Sequence, residues 1–166
     1  AETAPPLRAL VDPDDPRFLA PGDMPARIRS FCRETSQPTP ESPAEVVRCI
    51  FESLVLKYRW VIERLNTLLG WRIPAVHVVG GGARNEVLCQ WTADATGLPV
   101  LAGPVEATAI GNLIVQAIAL GLVASVEEAR EVVRRSFTPV LYEPRNSAAW
   151  DEAYARFVTL LQRGAA

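Results

Sequence analysis

Between Ala75 and Ala102 a short apolar run meets three consecutive glycines, then a stretch of helical spacing, then a second apolar run. No other feature restricts the possible folds as much. Ala75 to Val79 is β-branched and suits a buried strand. Asn85 to Thr96 carries Val87, Leu88, Trp91 and Ala95 at helical intervals, and Gly97 closes it. Leu98 to Ala102 reads as a second strand. Strand, glycine turn, helix and strand make a βαβ unit, which requires a parallel pair and a right-handed crossover. Each fixed glycine costs conformational entropy. Gly80, Gly81 and Gly82 in a row therefore imply a tight turn, or a large group lying against the backbone.

The rest of the chain is helical. Five prolines and several aspartates among residues 1–22 read as an extended arm with turns. Asp23 can cap a helix running through Ile28 and Phe31 to about Glu34. Ser42-Pro43-Ala44-Glu45 is a capping box with proline at the first helical position. Beyond it Val47, Ile50, Leu54, Tyr58, Val61, Leu65 and Leu68 recur at intervals of three and four up to Gly70, predicting a domain-spanning amphipathic helix. Glu106 opens a helix reaching about Leu120 that is apolar almost all round and should be covered on all sides. Ser125-Val126-Glu127-Glu128 is a second capping box, for a helix through Arg135. Pro139 to Pro144 reads as a loop, and Ser147 to Gln162 as a final amphipathic helix. Two strands make a poor sheet alone, so the chain reads as one flank of a larger α/β sheet. The expected organisation is an arm over 1–22 and an incomplete helix-rich α/β body over 23–166.

Composition narrows the functional classes. The 166 residues carry a net charge of −2 with no long run of one sign, which gives no electrostatic support for nucleic acid or a membrane surface. The three cysteines, Cys32, Cys49 and Cys89, are widely spaced and His77 is the single histidine, so no metal site is expected. The chain begins at Ala1 without a charged and apolar leader and reads as starting at a fragment boundary. Its most apolar stretch, Ala107 to Ala119, is too short to span a bilayer, and a cytoplasmic setting is expected. His77, inside an apolar run, reads as a core histidine, and Trp60, Trp71, Trp91 and Trp150 as core residues or residues under missing segments.

A glycine turn between strand and helix offers backbone N–H groups and the positive end of a helix dipole, both suited to phosphate or a nucleotide edge. A ligand-free tight connection is equally consistent with the turn alone. A Walker A loop fails for want of Gly-Lys-Ser/Thr. A dinucleotide fingerprint finds Gly80 and Gly82 but Asn85 at its third glycine, and no carboxylate ends the second strand. What remains is a turn open to a planar group, with the Asn85 carboxamide as donor and acceptor; Asn85 is also a good helix N-cap.

The run VVGGGARNEVLCQWTADATGLPV followed by GPVEATAIGN strongly resembles the C-terminal region of FGGY-family carbohydrate kinases, and within the family the likeness is nearest to kinases of L-rhamnulose. The resemblance extends to DPDDPRFLAPGDMPARIRSFCRETSQPTPES and RCIFESLVLKYRWVIERL, covering nearly the whole chain. It implies part of an actin-like, ribonuclease H-like ATPase domain. It also implies ATP as cofactor, with Mg²⁺ bridging the phosphates and held mostly by groups outside this chain, and an N-terminal sugar-binding domain as partner. By resemblance Gly80, Gly81 and Gly82 line the adenosine side and Asn85 contacts the nucleoside. The family's catalytic aspartate and phosphate loops precede this region. Asp94 and Glu106 are unconvincing as substitutes, so no catalytic residue is expected here and the chain alone should be inactive. Similar kinases suggest a Cys32–Cys49 pair, whereas a cytosolic setting favours free thiols. Two further readings stand beside this one. One is a non-catalytic structural or interaction module of the same fold, self-associating through uncovered apolar surface. The other is an autonomous enzyme with an unrecognised catalytic group.

Overall fold

The computed structural model describes residues 3–145 and 148–164. Six helices and a three-stranded sheet lie in these residues: α1 (Met24–Glu34), α2 (Pro43–Leu69), β1 (Val76–Val78), α3 (Glu86–Thr96), β2 (Val100–Ala102), α4 (Ala107–Ala119), α5 (Val126–Ser136), β3 (Val140–Tyr142) and α6 (Ala148–Gly164). The expected start of α6 at Ser147 lies outside the described residues. The chain divides into two compact units, the first drawn from Ala1–Ile73, Asp94–Gly97 and Pro144–Ala166, the second from Pro74–Ala93 and Leu98–Glu143.

In the first unit α2 forms as its ends dictate. The Ser42 hydroxyl accepts the Glu45 N–H at 3.3 Å while the Glu45 carboxylate accepts the Ser42 N–H at 2.9 Å, and Gly70 closes the helix in the left-handed region at φ 73°. A core of Val11, Ile28, Phe31, Cys32, Val46 and Cys49 joins the N-terminal segment to α1 and α2. The α6 helix packs on α2, burying Ala153 and Phe157 and setting the Arg59 Nη1 2.6 Å from Asp151.

Two expectations fail here. The N-terminal segment is irregular, with one 3₁₀ turn at Pro16–Phe18, yet it is packed: Ala9, Leu10 and Val11 are buried. Its backbone is clamped by side chains. Leu7 N–H donates to Glu52 at 2.9 Å, Val11 N–H to the Ser53 hydroxyl at 2.9 Å, and Leu10 exchanges two bonds with the Gln37 carboxamide. The second correction follows from the first. The apolar stripe of α2 is not its buried face; Val47, Tyr58, Val61, Leu65 and Leu68 are all exposed, while Val46, Cys49, Glu52, Ser53, Val55 and Leu56 are buried. Polar Glu52 and Ser53 go inside because they satisfy the arm's N–H groups, and an unpaired buried N–H would cost more than burying the bonded side chains. Arg48 completes the arrangement, lying 2.6 Å from Glu52 and donating to the Ala4 carbonyl.

The second unit holds the sheet, in the order β1-β2-β3. The β1 and β2 strands are parallel, with Val76 opposite Val100 and Val78 opposite Ala102, as the βαβ reading requires. The β3 strand, antiparallel to β2, replaces the expected loop. Pro139 and Pro144 flank it, where a missing N–H does no harm to the ladder, and Val140-Leu141-Tyr142 between them has strong strand preference. One sheet face packs Val76, Val78, Val100 and Ala102 against Cys89 and Ala93 of α3. The opposite face carries His77, Leu101 and Leu141 at one register. His77 is exposed on it, not the core histidine expected. The α4 helix has no buried residue, and Leu113, Val115 and Leu120 are 66, 67 and 75% exposed. No helix among the described residues is long and apolar enough to cross a membrane.

Candidate functional site

Two parallel strands deliver their C-terminal ends side by side, and the loops leaving them form the site. After β1 the chain makes a 3₁₀ turn over Gly80–Arg84. After β2 it runs through Gly103 and Pro104, joined by a cis peptide, to Glu106 at the head of α4. Backbone bonds tie the two loops together: Gly103 N–H donates to the Val78 carbonyl at 2.8 Å and Gly80 N–H to the Pro104 carbonyl at 3.1 Å. In open α/β sheets this carboxyl edge is where ligands bind.

The glycines separate into two kinds. Gly80 has φ 74° and its conformation demands glycine. Gly81 does not: a Cβ built there meets no atom within 4 Å, and at Gly82 the nearest is a Val78 methyl at 3.6 Å. Below the turn the buried Cys89 thiol, pushed up from its ordinary pKa by desolvation, stays protonated and points at the Gly82 carbonyl from 3.8 Å. Asn85 N–H donates to the same carbonyl at 3.0 Å.

Asn85 fills one of the two roles foreseen for it, that of helix N-cap. Its Oδ1 accepts the Leu88 N–H at 3.0 Å and caps α3, which fixes the carboxamide and leaves Nδ2 as its remaining donor. The turn therefore offers open backbone beside one positioned amide, at the head of a helix whose dipole favours negative charge. Those features fit a nucleoside and its phosphates. The structure thus brings Gly80, Gly81, Gly82 and Asn85 into one loop.

A second wall escaped the residue-by-residue reading. Arg84, given no role from sequence, and Glu106, read only as a helix start and weighed as a base, meet across the two loops at 3.5 Å, both largely exposed. The pairing of the loops depends on strand register, which no local pattern encodes. Asp94 is structural, accepting the Arg145 N–H at 2.8 Å. Cys32 and Cys49 are free buried thiols, and the hydrogen bond between them depresses the Cys32 thiol while raising that of Cys49. No group of three or more metal-ligating side chains converges among the described residues.

Fold and loop together define a helix-rich α/β piece in which the loops leaving two parallel strands meet at the carboxyl edge of a small mixed sheet. The description "FGGY family of carbohydrate kinases, C-terminal domain" matches residues 1–120, and the chain belongs to that family. A rhamnulokinase of Bacteroides thetaiotaomicron is 49% identical over 157 residues, covering 95% of this chain and 32% of the relative. A rhamnulokinase of Oceanobacillus iheyensis is 43% identical over 136 residues, 82% of this chain and 29% of the relative. The crystal structure of xylulose kinase from Rhodospirillum rubrum superposes with a TM-score of 0.56 at 20% identity, over 76% of this chain and 26% of that one. The likeness carries the actin-like, ribonuclease H-like fold. The chain spans about a third of the length of the curated relatives it matches.

Proposed function

We propose that this chain is the nucleotide-binding portion of an ATP-dependent sugar kinase that phosphorylates L-rhamnulose, giving L-rhamnulose 1-phosphate and ADP. The observation that supports the nucleotide half is the Gly80–Arg84 turn at the carboxyl end of β1, tied to the loop after β2 and followed directly by the fixed Asn85 carboxamide. In this reading the adenosine lies across Gly80, Gly81 and Gly82, and Asn85 Nδ2 donates to it while Oδ1 stays engaged with α3. ATP supplies the transferable phosphoryl group, with Mg²⁺ held mainly by its phosphates and by groups outside this chain. The sugar assignment is supported by the two rhamnulokinase relatives.

Phosphoryl transfer also needs a carboxylate to take the proton of the attacking hydroxyl. Asp94 accepts the Arg145 N–H and Glu106 is an exposed carboxylate beside Arg84, and neither is placed as a convincing base, so we assign the base to an N-terminal partner domain and expect the chain alone to be inactive. The bare sheet face at His77 and Leu101 and the exposed α4 helix are, in the same reading, surfaces that the remaining polypeptide covers.

A chimera tests the nucleotide half. The upstream two-thirds of the Bacteroides rhamnulokinase joined to this chain should phosphorylate L-rhamnulose, and Gly81→Val should raise the KM for ATP about tenfold or more. A folded chimera whose KM for ATP ignores Gly81→Val would contradict the nucleotide assignment. The substrate assignment is tested on the full-length protein that contains this chain, where equal use of L-rhamnulose and L-xylulose would contradict it.

A further inference from the structure

A groove of about 340 Å³ opens on the first unit, away from the glycine loop in sequence, among Arg8, Ser36, Gln37, Arg156, Thr159 and Leu160. Three separate segments supply it: the N-terminal arm, the turn after α1, and α6. Its described lining residues include two arginines and no carboxylate.

Among the described residues Arg156 has no carboxylate at ion-pair distance, and Arg8 has only a long, exposed one. The Arg8 Nη1 stands 3.9 Å from Glu45, at the outer limit of an ion pair, with its side chain 55% exposed. The Arg156 Nη2 donates to the Leu7 carbonyl at 2.7 Å, a bond that fixes the fork without cancelling its charge. The acid that faces Arg156 is Glu52, already matched by Arg48 at 2.6 Å. The opposing field comes from the C-terminus of α1, equivalent to about half a charge against two whole ones. Its last carbonyls are moreover capped by the Ser36 N–H at 3.1 Å and the Gln37 N–H at 2.8 Å.

The polar lining is placed for a ligand that carries hydroxyls. Ser36 sits at φ 57°, a left-handed position where glycine would be the easier residue, and it retains a hydroxyl on the groove. The Thr159 hydroxyl donates to the Ala155 carbonyl, leaving its lone pairs to accept. Leu10, Pro38 and Leu160 give an apolar floor for a short carbon skeleton.

We propose that this groove binds a small phosphomonoester, such as a sugar phosphate. The dianion would lie between Arg8 and Arg156, and the carbon chain would lie over Leu160 toward Ser36 and Thr159. Paired guanidinium forks match phosphate oxygens geometrically, and a dianion gains more than a monoanion from two of them. The proposal does not rest on the nucleotide reading, whose residues lie in the other unit.

An amide NMR titration of the 166-residue chain with ribose 5-phosphate, ribose and inorganic phosphate decides it. Ribose 5-phosphate should give saturating shifts at Arg8, Ser36, Gln37 and Thr159, ribose none, and inorganic phosphate weaker ones at the arginines. Arg8→Gln, which removes an exposed side chain and spares the arm's packing, should weaken binding about tenfold, and Arg156→Gln at least as much. No saturation up to about 10 mM would overturn the site. Binding that is unchanged in Arg8→Gln, or equal affinity for inorganic phosphate and ribose 5-phosphate, would overturn the phosphomonoester assignment.

Discussion

Gly80 and Gly81 are neighbours with different reasons to be glycine, and substitution separates them. Alanine at Gly80 must adopt φ near 74°, which costs about 1–2 kcal/mol, so Gly80→Ala should lower the urea midpoint markedly. Alanine at Gly81 meets open space and should change stability by less than about 0.5 kcal/mol while still weakening nucleotide binding. Asn85 can be divided in the same way. Asn85→Asp keeps an oxygen for the Leu88 N–H and holds stability within about 0.5 kcal/mol, but loses the Nδ2 donor. Its effect should appear in nucleotide affinity, and Asn85→Ala should cost about 1 kcal/mol of stability in addition. At this scale the sequence was legible where chemistry is local: glycine and a capping amide announce themselves. His77 was not legible, because a histidine flanked by valines looks buried whichever sheet face its register selects.

Among the elements, α2 shows most clearly what patterning can convey. Its ends were readable from Ser42, Pro43, Glu45 and Gly70, since a capping box and a left-handed glycine are local devices. Its buried face was not, because Glu52 and Ser53 are drawn inside by the N–H groups of Leu7 and Val11, more than 40 positions away. The β3 strand was lost for a related reason: three residues between prolines carry no period, and only the edge of β2 makes them a strand. The cap of α2 gives a pH test. Backbone N–H groups of Ser42 and Glu41 hold the Glu45 carboxyl below its ordinary value of 4.5. A lowered folded-state value means the cap contributes fully above that pH and is lost as pH falls through it. Glu45→Gln should therefore flatten the dependence of the urea midpoint on pH between about 5 and 3. Glu52, raised by burial, acts with the opposite sign, its contribution fading as pH rises, and a slope unaltered in Glu45→Gln would assign the acid sensitivity elsewhere.

For the molecule as a whole, a three-stranded sheet with one bare face and an α4 helix with no buried residue leaves the second unit with unusual apolar exposure. The sequence shows the same imbalance, too few strands for so many helices, and the curated relatives are about three times longer. The pairing of the Gly80–Arg84 turn with the Gly103–Glu106 loop was beyond reach, since it follows from strand register. The isolated chain should self-associate, with a sedimentation coefficient that rises with concentration, whereas the kinase chimera should sediment without that dependence. A concentration-independent monomer of the isolated chain would show that the surface needs no cover. The most direct test of the central claim is an amide NMR titration of the chain with ADP and Mg²⁺. Shifts concentrated at Gly80 to Asn85, lost in Gly81→Val, are the expected result. A folded spectrum with no localised shifts up to millimolar ADP would contradict the assignment of the glycine turn as a nucleotide half-site.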